Sequence, residues 1–350
     1  MQKPLVTQIN SNACRGKKQR HAIVLLTLLA LIVALCSLGL GQFHLPLQKI
    51  LHILIAPVSD SSATFSVTEH NIVWTIRIPR VLMAFCAGSA LALSGAALQG
   101  VFNNPLVDPH IIGVTSGAAF GGTLAILLGF SSWLLIVSTF SFGLLALLLV
   151  YAVAGFIGDG NRIILVLAGV ILSGFFSALV SLVQYLSDTE ETLPNIVFWL
   201  LGSFATANWH KFLIIFSVLL VVGGLLLRLR WHINLLSLGE RQAQTLGISI
   251  TRTRWLILIL CALVVAAQVS VSGSIGWIGL VIPHLARFIV GPNHRYLLPA
   301  SLLLGGTFMV VVDDVARTLT AAEIPVGILT ALLGVPMFAI VLLKKYRRLL

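Results

Sequence analysis

The sequence predicts an all-α integral membrane protein of about ten transmembrane helices, with short helices on its outer and inner faces. Three observations predict it. Of 350 residues, 58% are hydrophobic and 9% are charged, with a mean hydropathy of +1.03. That is too little polar surface to cover a soluble domain. Pro109 to Gly158 is 50 residues without Asp, Glu, Lys or Arg, and Trp255 to Ala286 is another 32. One helical span needs roughly 20 apolar residues, so the first run holds two spans and the second most of two. Helix-breaking punctuation separates the runs, as at Asn103-Asn-Pro105, Gly129-Phe-Ser-Ser132, Gly158-Asp-Gly160 and Ser272-Gly-Ser274.

In order, the spans are predicted at about 22–42, 81–102, 111–130, 133–157, 163–186, 212–228, 255–271, 275–290, 297–316 and 326–343. Residues 1–21 read as an N-terminal arm and 22–350 as one polytopic domain. Arg15, Lys17, Lys18 and Arg20 before an apolar stretch resemble a signal peptide, but Ala22 to Gly41 is too long for its hydrophobic core and lacks a small-x-small cleavage site. Cys36 follows Leu35 rather than a small residue and is a poor lipoprotein site, so an uncleaved first span is expected. Residues 43–79 have the amphipathic character of a helix lying on the surface. In the loop 187–210, Asp188, Glu190 and Glu191 precede Leu193 to Gly202, which reads as a short re-entrant or interfacial helix at the outer mouth. Trp199 and Trp209 are expected at headgroup level. The four cysteines, Cys14, Cys36, Cys86 and Cys261, form no CxxC pair and read as core or lipid-facing thiols, with no disulfide framework or metal site.

Charge distribution orients the chain. With the N-terminus in the cytoplasm, inner segments carry 17 Lys and Arg, and the outer face keeps five: Lys49, Arg77, Arg80, Lys211 and Arg317. This bias predicts both termini inside. It also explains the net charge of +11 without a nucleic-acid partner; the surroundings are membrane lipid.

Several segments carry functional expectations. Asn234 to Gly247 is a polar island between two hydrophobic runs, on the basic side. Ser237 and Glu240 read as a capping box, with Gly247 ending the helix they start. Such a charged helix is a handle for another protein. A stripe of small residues at helical spacing, Gly169, Ser173, Ser177 and Ser181, either packs closely against a neighbouring helix or lines a polar path. Arg77 and Arg80 flank Pro79 at the outer entrance to the second span, and read as outward charges that either snorkel to lipid phosphates or bridge to carboxylates of an external partner. Asp313 and Asp314 lie four and three residues before Arg317, so either can pair with it on one helix face. In Gly273 to Arg287, Pro283 frees a backbone carbonyl inside the membrane. His284 reads as a hydrogen-bonded structural histidine, or as a proton carrier or ligand.

The segment Gly273-Ser-Ile-Gly-Trp-Ile-Gly-Leu-Val-Ile-Pro-His-Leu-Ala-Arg287 resembles the FecCD permease signature, with Ser274 where that family commonly has Pro. Other stretches are also similar to the family: Arg77-Ile-Pro-Arg80, Gly95 to Gly100, Asn104-Pro-Leu-Val-Asp-Pro109 with Gly113, Leu167 to Val170, Leu236 to Gly239 with Leu246 and Gly247, and Ile324 to Gly327. The resemblance runs from about residue 70 to 343. It implies the permease subunit of a binding-protein-dependent ABC importer in the bacterial inner membrane: a homodimer of ten-helix subunits with two cytosolic ATPase subunits and an external substrate-binding protein. It further implies that Gly169, Ser173, Ser177 and Ser181 line the pathway and that the segment 234–249, with Ser237, Leu238, Gly239, Glu240, Arg241, Leu246 and Gly247, couples to the ATPase. Arg77, Arg80 and Arg317 would face the binding protein. The chain shows no P-loop, so it is read as no enzyme and as needing no cofactor. Ferric siderophore is the first substrate expectation by frequency in the family, followed by haem, cobalamin and molybdate. An ion-driven secondary transporter would need charged groups at the midplane of broken helices, and the spans' midsections lack them. HExxH, paired catalytic carboxylates and Gly-x-Ser-x-Gly are absent, which argues against an intramembrane enzyme.

Overall fold

Among the described residues seven helices are long and apolar enough to cross a membrane, and three shorter apolar helices bring the number close to the ten spans predicted. The computed structural model describes residues 5–41, 43, 45–55, 65–157, 162–320 and 322–346, and among these there is no strand. In chain order the helices are α1 (Leu5–Gly39), α2 (Leu47–Ile55), α3 (Val67–Val101), α4 (Val114–Leu127), α5 (Ser132–Ile157), α6 (Arg162–Leu186) and α7 (Thr192–Leu200). There follow α8 (Trp209–Arg228), α9 (Arg230–Ser237), α10 (Glu240–Thr245), α11 (Ile250–Ser272), α12 (Ile278–Val290), α13 (His294–Thr318) and α14 (Val326–Tyr346). The first helix runs back to Leu5, into the segment read as an arm. The surface helix expected within 43–79 is the nine-residue α2, which buries Ile50 and Ile53 and exposes Leu51 and Ile55.

Helix α3 is the hub, packed against α13, α12, α11, α8 and α1. Its sequence explains why. Lipid is as apolar as a leucine side chain, so helices associate in a bilayer through close backbone approach. Along α3, Ala84, Ala87, Gly88, Ala92, Gly95 and Ala96 are all buried. A Cβ on Gly88 would lie 2.1 Å from the Gly305 carbonyl oxygen of α13, and one on Gly95 would lie 2.0 Å from that of Gly279 in α12. The entry to α3 contains a π-helical stretch, Ile72–Arg77, an irregularity that turns side chains out of the regular register.

Two spans are too short to cross the bilayer alone. Fourteen residues of α4 and 13 of α12 rise roughly 20 Å each. Irregular backbone completes them, at 102–113 and 273–277, and such backbone survives at membrane depth only where protein satisfies it. Two buried glutamines do so. Gln99 Nε2 donates to the carbonyls of Val107 (3.3 Å), Gly279 (3.3 Å) and Leu280 (3.4 Å). Gln268 Nε2 donates to Ser272 Oγ (2.9 Å) and the Gly273 carbonyl (3.1 Å). Gly279 is four residues before Pro283, which has no N–H to offer it; the carbonyl freed by that proline is the one Gln99 takes.

The chain just after α7 meets the C-terminal end of α11 and the start of α14 backbone to backbone. Ser203 N donates to Ser272 O (3.0 Å), Val326 N to Gly202 O (2.9 Å) and Gly327 N to Leu201 O (2.9 Å). A Cβ on Gly273 would sit 2.2 Å from Trp199 O, and one on Gly327 2.3 Å from Leu201 O. Trp199, expected at headgroup level, instead turns inward, where Gly122 of α4 leaves room for its ring. Trp209 donates from Nε1 to Trp74 O at 2.9 Å.

Candidate functional site: a polar cavity between the third and fifth spans

A cavity of about 320 Å³ opens beside α4 and the outer half of α6. Its floor is a 3₁₀ turn, Pro109–Ile112, on the segment that carries the chain from the C-terminal end of α3 into α4. Asp108 starts this turn. Its Oδ1 accepts from His110 N (2.9 Å) and lies 2.5 Å from His110 Nδ1. Gly113, at φ +80°, makes the left-handed step into α4 that a residue with a Cβ rarely adopts. The lining is short and polar: His110, Thr115, Ser116, Ser177, Ser181 and Ser274, with Ala119, Val180 and Leu200 as its apolar part.

The small-residue stripe of α6 is packed at one end and open at the other. Gly169 is packing: a Cβ there would lie 2.0 Å from the Ile111 carbonyl oxygen. Ser173 is half-buried near Gly113. Ser177 and Ser181 are exposed and line the cavity, with Ser181 Oγ donating to Ser177 O at 3.1 Å. Sequence reasoning missed His110, Thr115, Ser116 and Ser274 as site residues. The available signals were Asp108 two residues before His110 in a Pro-containing segment, and Ser274 as the departure from the family pattern.

The three outer arginines turn inward, which corrects the reading of Arg77 and Arg80 as outward charges. Arg77 is buried and donates to Leu38 O (2.6 Å) and to Phe43 O. Arg80 donates from Nε to Asp313 Oδ2 (2.9 Å) and from Nη2 to Asp313 Oδ1 (2.8 Å), and also binds Glu323 through Nη1 (2.9 Å) and Nη2 (3.0 Å). Arg317 pairs with Asp314 and donates to Ser37 O at 2.7 Å, while Asp313 stands 3.8 Å from its Nε. A guanidinium at membrane depth is expensive unless its donors find acceptors, and carboxylates and carbonyls of α1 and α13 supply them. His284 Nδ1 lies 2.9 Å from Leu280 O, the hydrogen-bonded structural reading. Cys36, Cys86 and Cys261 are free thiols.

Between α8 and α11, the segment 234–249 takes part in two short helices with a break between them. The capping box is not formed: Ser237 remains helical and its Oγ donates back to Asn234 O (2.7 Å), while Gly239, at φ +115°, makes the break and caps α10 without a side chain. Gly247, at φ +79°, follows the end of α10, its N–H on Gln244 O. Leu238 and Leu246 are exposed, and Ala243 between them is buried. Asn234 anchors the base, its Oδ1 accepting from His294 N (2.8 Å) and its Nδ2 donating to Asn293 Oδ1 (2.9 Å). The side chains of Glu240 and Arg241 lie outside what the structure describes.

The model of the FecCD transport family matches residues 28–344. The chain belongs to the FecCD transport family. The permease is 52% identical over 322 residues to the molybdate import system permease protein MolB of Haemophilus influenzae, covering 92% of this chain and 95% of the relative. It is 38% identical to the hemin transport system permease protein HmuU of Yersinia pestis, covering 91% and 94%. An ABC transporter assigned to the metal-chelate type and solved in an inward-facing conformation superposes with a TM-score of 0.83 at 51% identity, covering 92% of this chain and 98% of the other. The permease is therefore a multi-pass membrane component of an ABC importer, a class whose members work with ATPase subunits and substrate-binding proteins.

Proposed function

We propose that this permease imports a tetrahedral oxyanion of the molybdate class. The observation that carries the reading is the cavity wall: hydroxyls and one imidazole, with Val180, Ala119 and Leu200 as its only apolar members among the described residues. Short donors in a small space suit a compact anion. A bulky chelate, the expectation by family frequency, calls for larger and more apolar walls. The similarity to the H. influenzae molybdate permease supports the same substrate class. The hemin relative favours an iron chelate as the second reading.

The working unit is a homodimer with both termini in the cytoplasm. The open face of α6, where Ser177 and Ser181 are exposed and a Cβ on Gly174 would meet nothing within 4 Å, would face the dimer axis, so that two cavities join into one path. Residues 237–247 enter a groove of each of two ATPase subunits, with exposed Leu238 and Leu246 as apolar contacts and Glu240 and Arg241 as charged ones. The external binding protein lands on the outer rim, and Arg77, Arg80 and Arg317 hold that rim in shape from within.

Reconstitution with the cognate ATPase and binding protein tests the reading. ATP-dependent uptake of molybdate, competed by tungstate and indifferent to ferric siderophore and hemin, is the expected result. Uptake of an iron chelate with none of molybdate would replace it with the second reading.

A further inference from the structure

We propose that the first turn of α4 and His110 together form an oxyanion-binding station inside the membrane, occupied by the substrate in transit. The proposal rests on the oxyanion reading above and assigns it a site. Three observations meet at one place. Thr115 is 3% exposed and lines the cavity, yet its Oγ1 has no hydrogen-bond partner among the described residues. A buried hydroxyl left unpaired is costly, and an incoming acceptor would relieve it. Thr115 and Ser116 sit in the first turn of a 14-residue helix, whose leading N–H groups lack intrahelical partners and carry the positive end of the dipole. The third observation is His110, among the described residues the one group on the lining that takes a positive charge.

Asp108 decides how that histidine works. Its carboxylate holds the proton on Nδ1, so neutral His110 presents a bare Nε2, which repels an oxyanion. Protonated His110 presents Nε2–H, which donates to one. Of the charged groups and histidines on helices packed round the turn, Glu69, His70, Arg77 and Arg80 (α3), Arg162 (α6), Arg252 and Arg254 (α11) and His284 and Arg287 (α12), none lines the cavity. His110 is therefore the titratable group an anion meets on the wall, with Asp108 behind it as its partner. Binding is expected to strengthen as pH falls and His110 takes up its second proton.

The test is equilibrium binding of molybdate to the purified ATPase-bound transporter, without binding protein, at pH 6 and pH 8, alongside molybdate uptake by the same preparation. Wild type is expected to bind about tenfold or more tightly at pH 6. His110→Gln is expected to weaken binding at pH 6 by about tenfold and to abolish the pH dependence, and Thr115→Val to weaken it by up to about tenfold at both pH values. Thr115→Val keeps the side chain's shape, so the station remains testable if His110→Gln misfolds. Wild-type uptake with wild-type binding in both variants would overturn the station and leave molybdate import standing. Uptake without direct binding would do the same. Absence of both uptake and binding would overturn the station together with the substrate reading.

Discussion

Replacing Arg80 with Gln separates a strut from a landing site. Arg80 makes five hydrogen bonds, three to Asp313 and two to Glu323. The side chains of Arg80 and Asp313 are 8% and 1% exposed, and that of Glu323 is 29%. Losing one partner of a buried pair costs about 3–5 kcal/mol, because the other charge is left uncompensated. The partly exposed Glu323 arm is worth about 1 kcal/mol at most. The expected order of destabilisation is therefore Arg80→Gln close to Asp313→Ala, and both well above Glu323→Gln. Replacing both members of the pair, as Arg80→Met with Asp313→Leu, should recover much of the loss, since an apolar pair of similar volume avoids the desolvation penalty. The assay is thermal or denaturant unfolding of the purified transporter in detergent, with binding-protein affinity measured at low and high salt. A strut leaves the salt dependence of docking unchanged in the Arg80 variant. An Arg80→Gln protein as stable as wild type, but with docking that has lost its salt sensitivity, would refute the argument and restore the outward reading.

Other outcomes follow from the same geometry. In a background without the four native cysteines, Ser177→Cys and Ser181→Cys should react with a hydrophilic thiol reagent in at least one nucleotide state, Ser173→Cys more slowly, and Gly169→Cys should fail to accumulate; uniform protection of 177 and 181 would return the whole stripe to packing. Gly239→Pro, which cannot adopt φ +115°, or charge reversal of Glu240 and Arg241, should release ATP hydrolysis from uptake without loss of membrane insertion, and unchanged uptake would remove residues 237–247 from the coupling role. Gln99→Leu strands the carbonyls of Val107 and Gly279 in the membrane interior, so a loss of about 1–3 kcal/mol is expected in the unfolding assay; a neutral result would mean that other groups satisfy those carbonyls.

The ten helices were legible because a bilayer imposes one length and one polarity on every span, and Pro283 announced a freed carbonyl for the same reason. The identity of its acceptor's partner was not legible. Gln99 lies 180 residues from Gly279, and nothing local in either segment pairs them. The arginines show the limit more sharply. Asp313 is correctly spaced for Arg317, yet Arg80, 233 residues away, takes both its oxygens. Spacing along one helix states what can pair, while the packing of the hub decides what does. Ser237 and Glu240 also have the right spacing for a capping box. Gly239 absorbs the break at less backbone strain, and Ser237 has no reason to leave the helix. The pathway stripe was half legible: four small residues were visible, but which of them faced a void depended on where the 3₁₀ turn came to rest.

Helix α11 begins at Ile250, three residues beyond Gly247, and ends at the outer backbone junction formed by Ser272, Gly202 and Gly327. Its 23 residues make a rod of roughly 35 Å, the full depth of the bilayer. At the far end, α7 cannot swing as a separate flap, since its backbone is stitched to both α11 and α14. Leu200 and Ser274, two of the cavity's outer wall residues, ride on that stitching. A displacement applied at the Ile250 end is therefore expected to arrive at the Ser272 end as one piece of motion, carried by a pushrod with α7 already fastened to its tip.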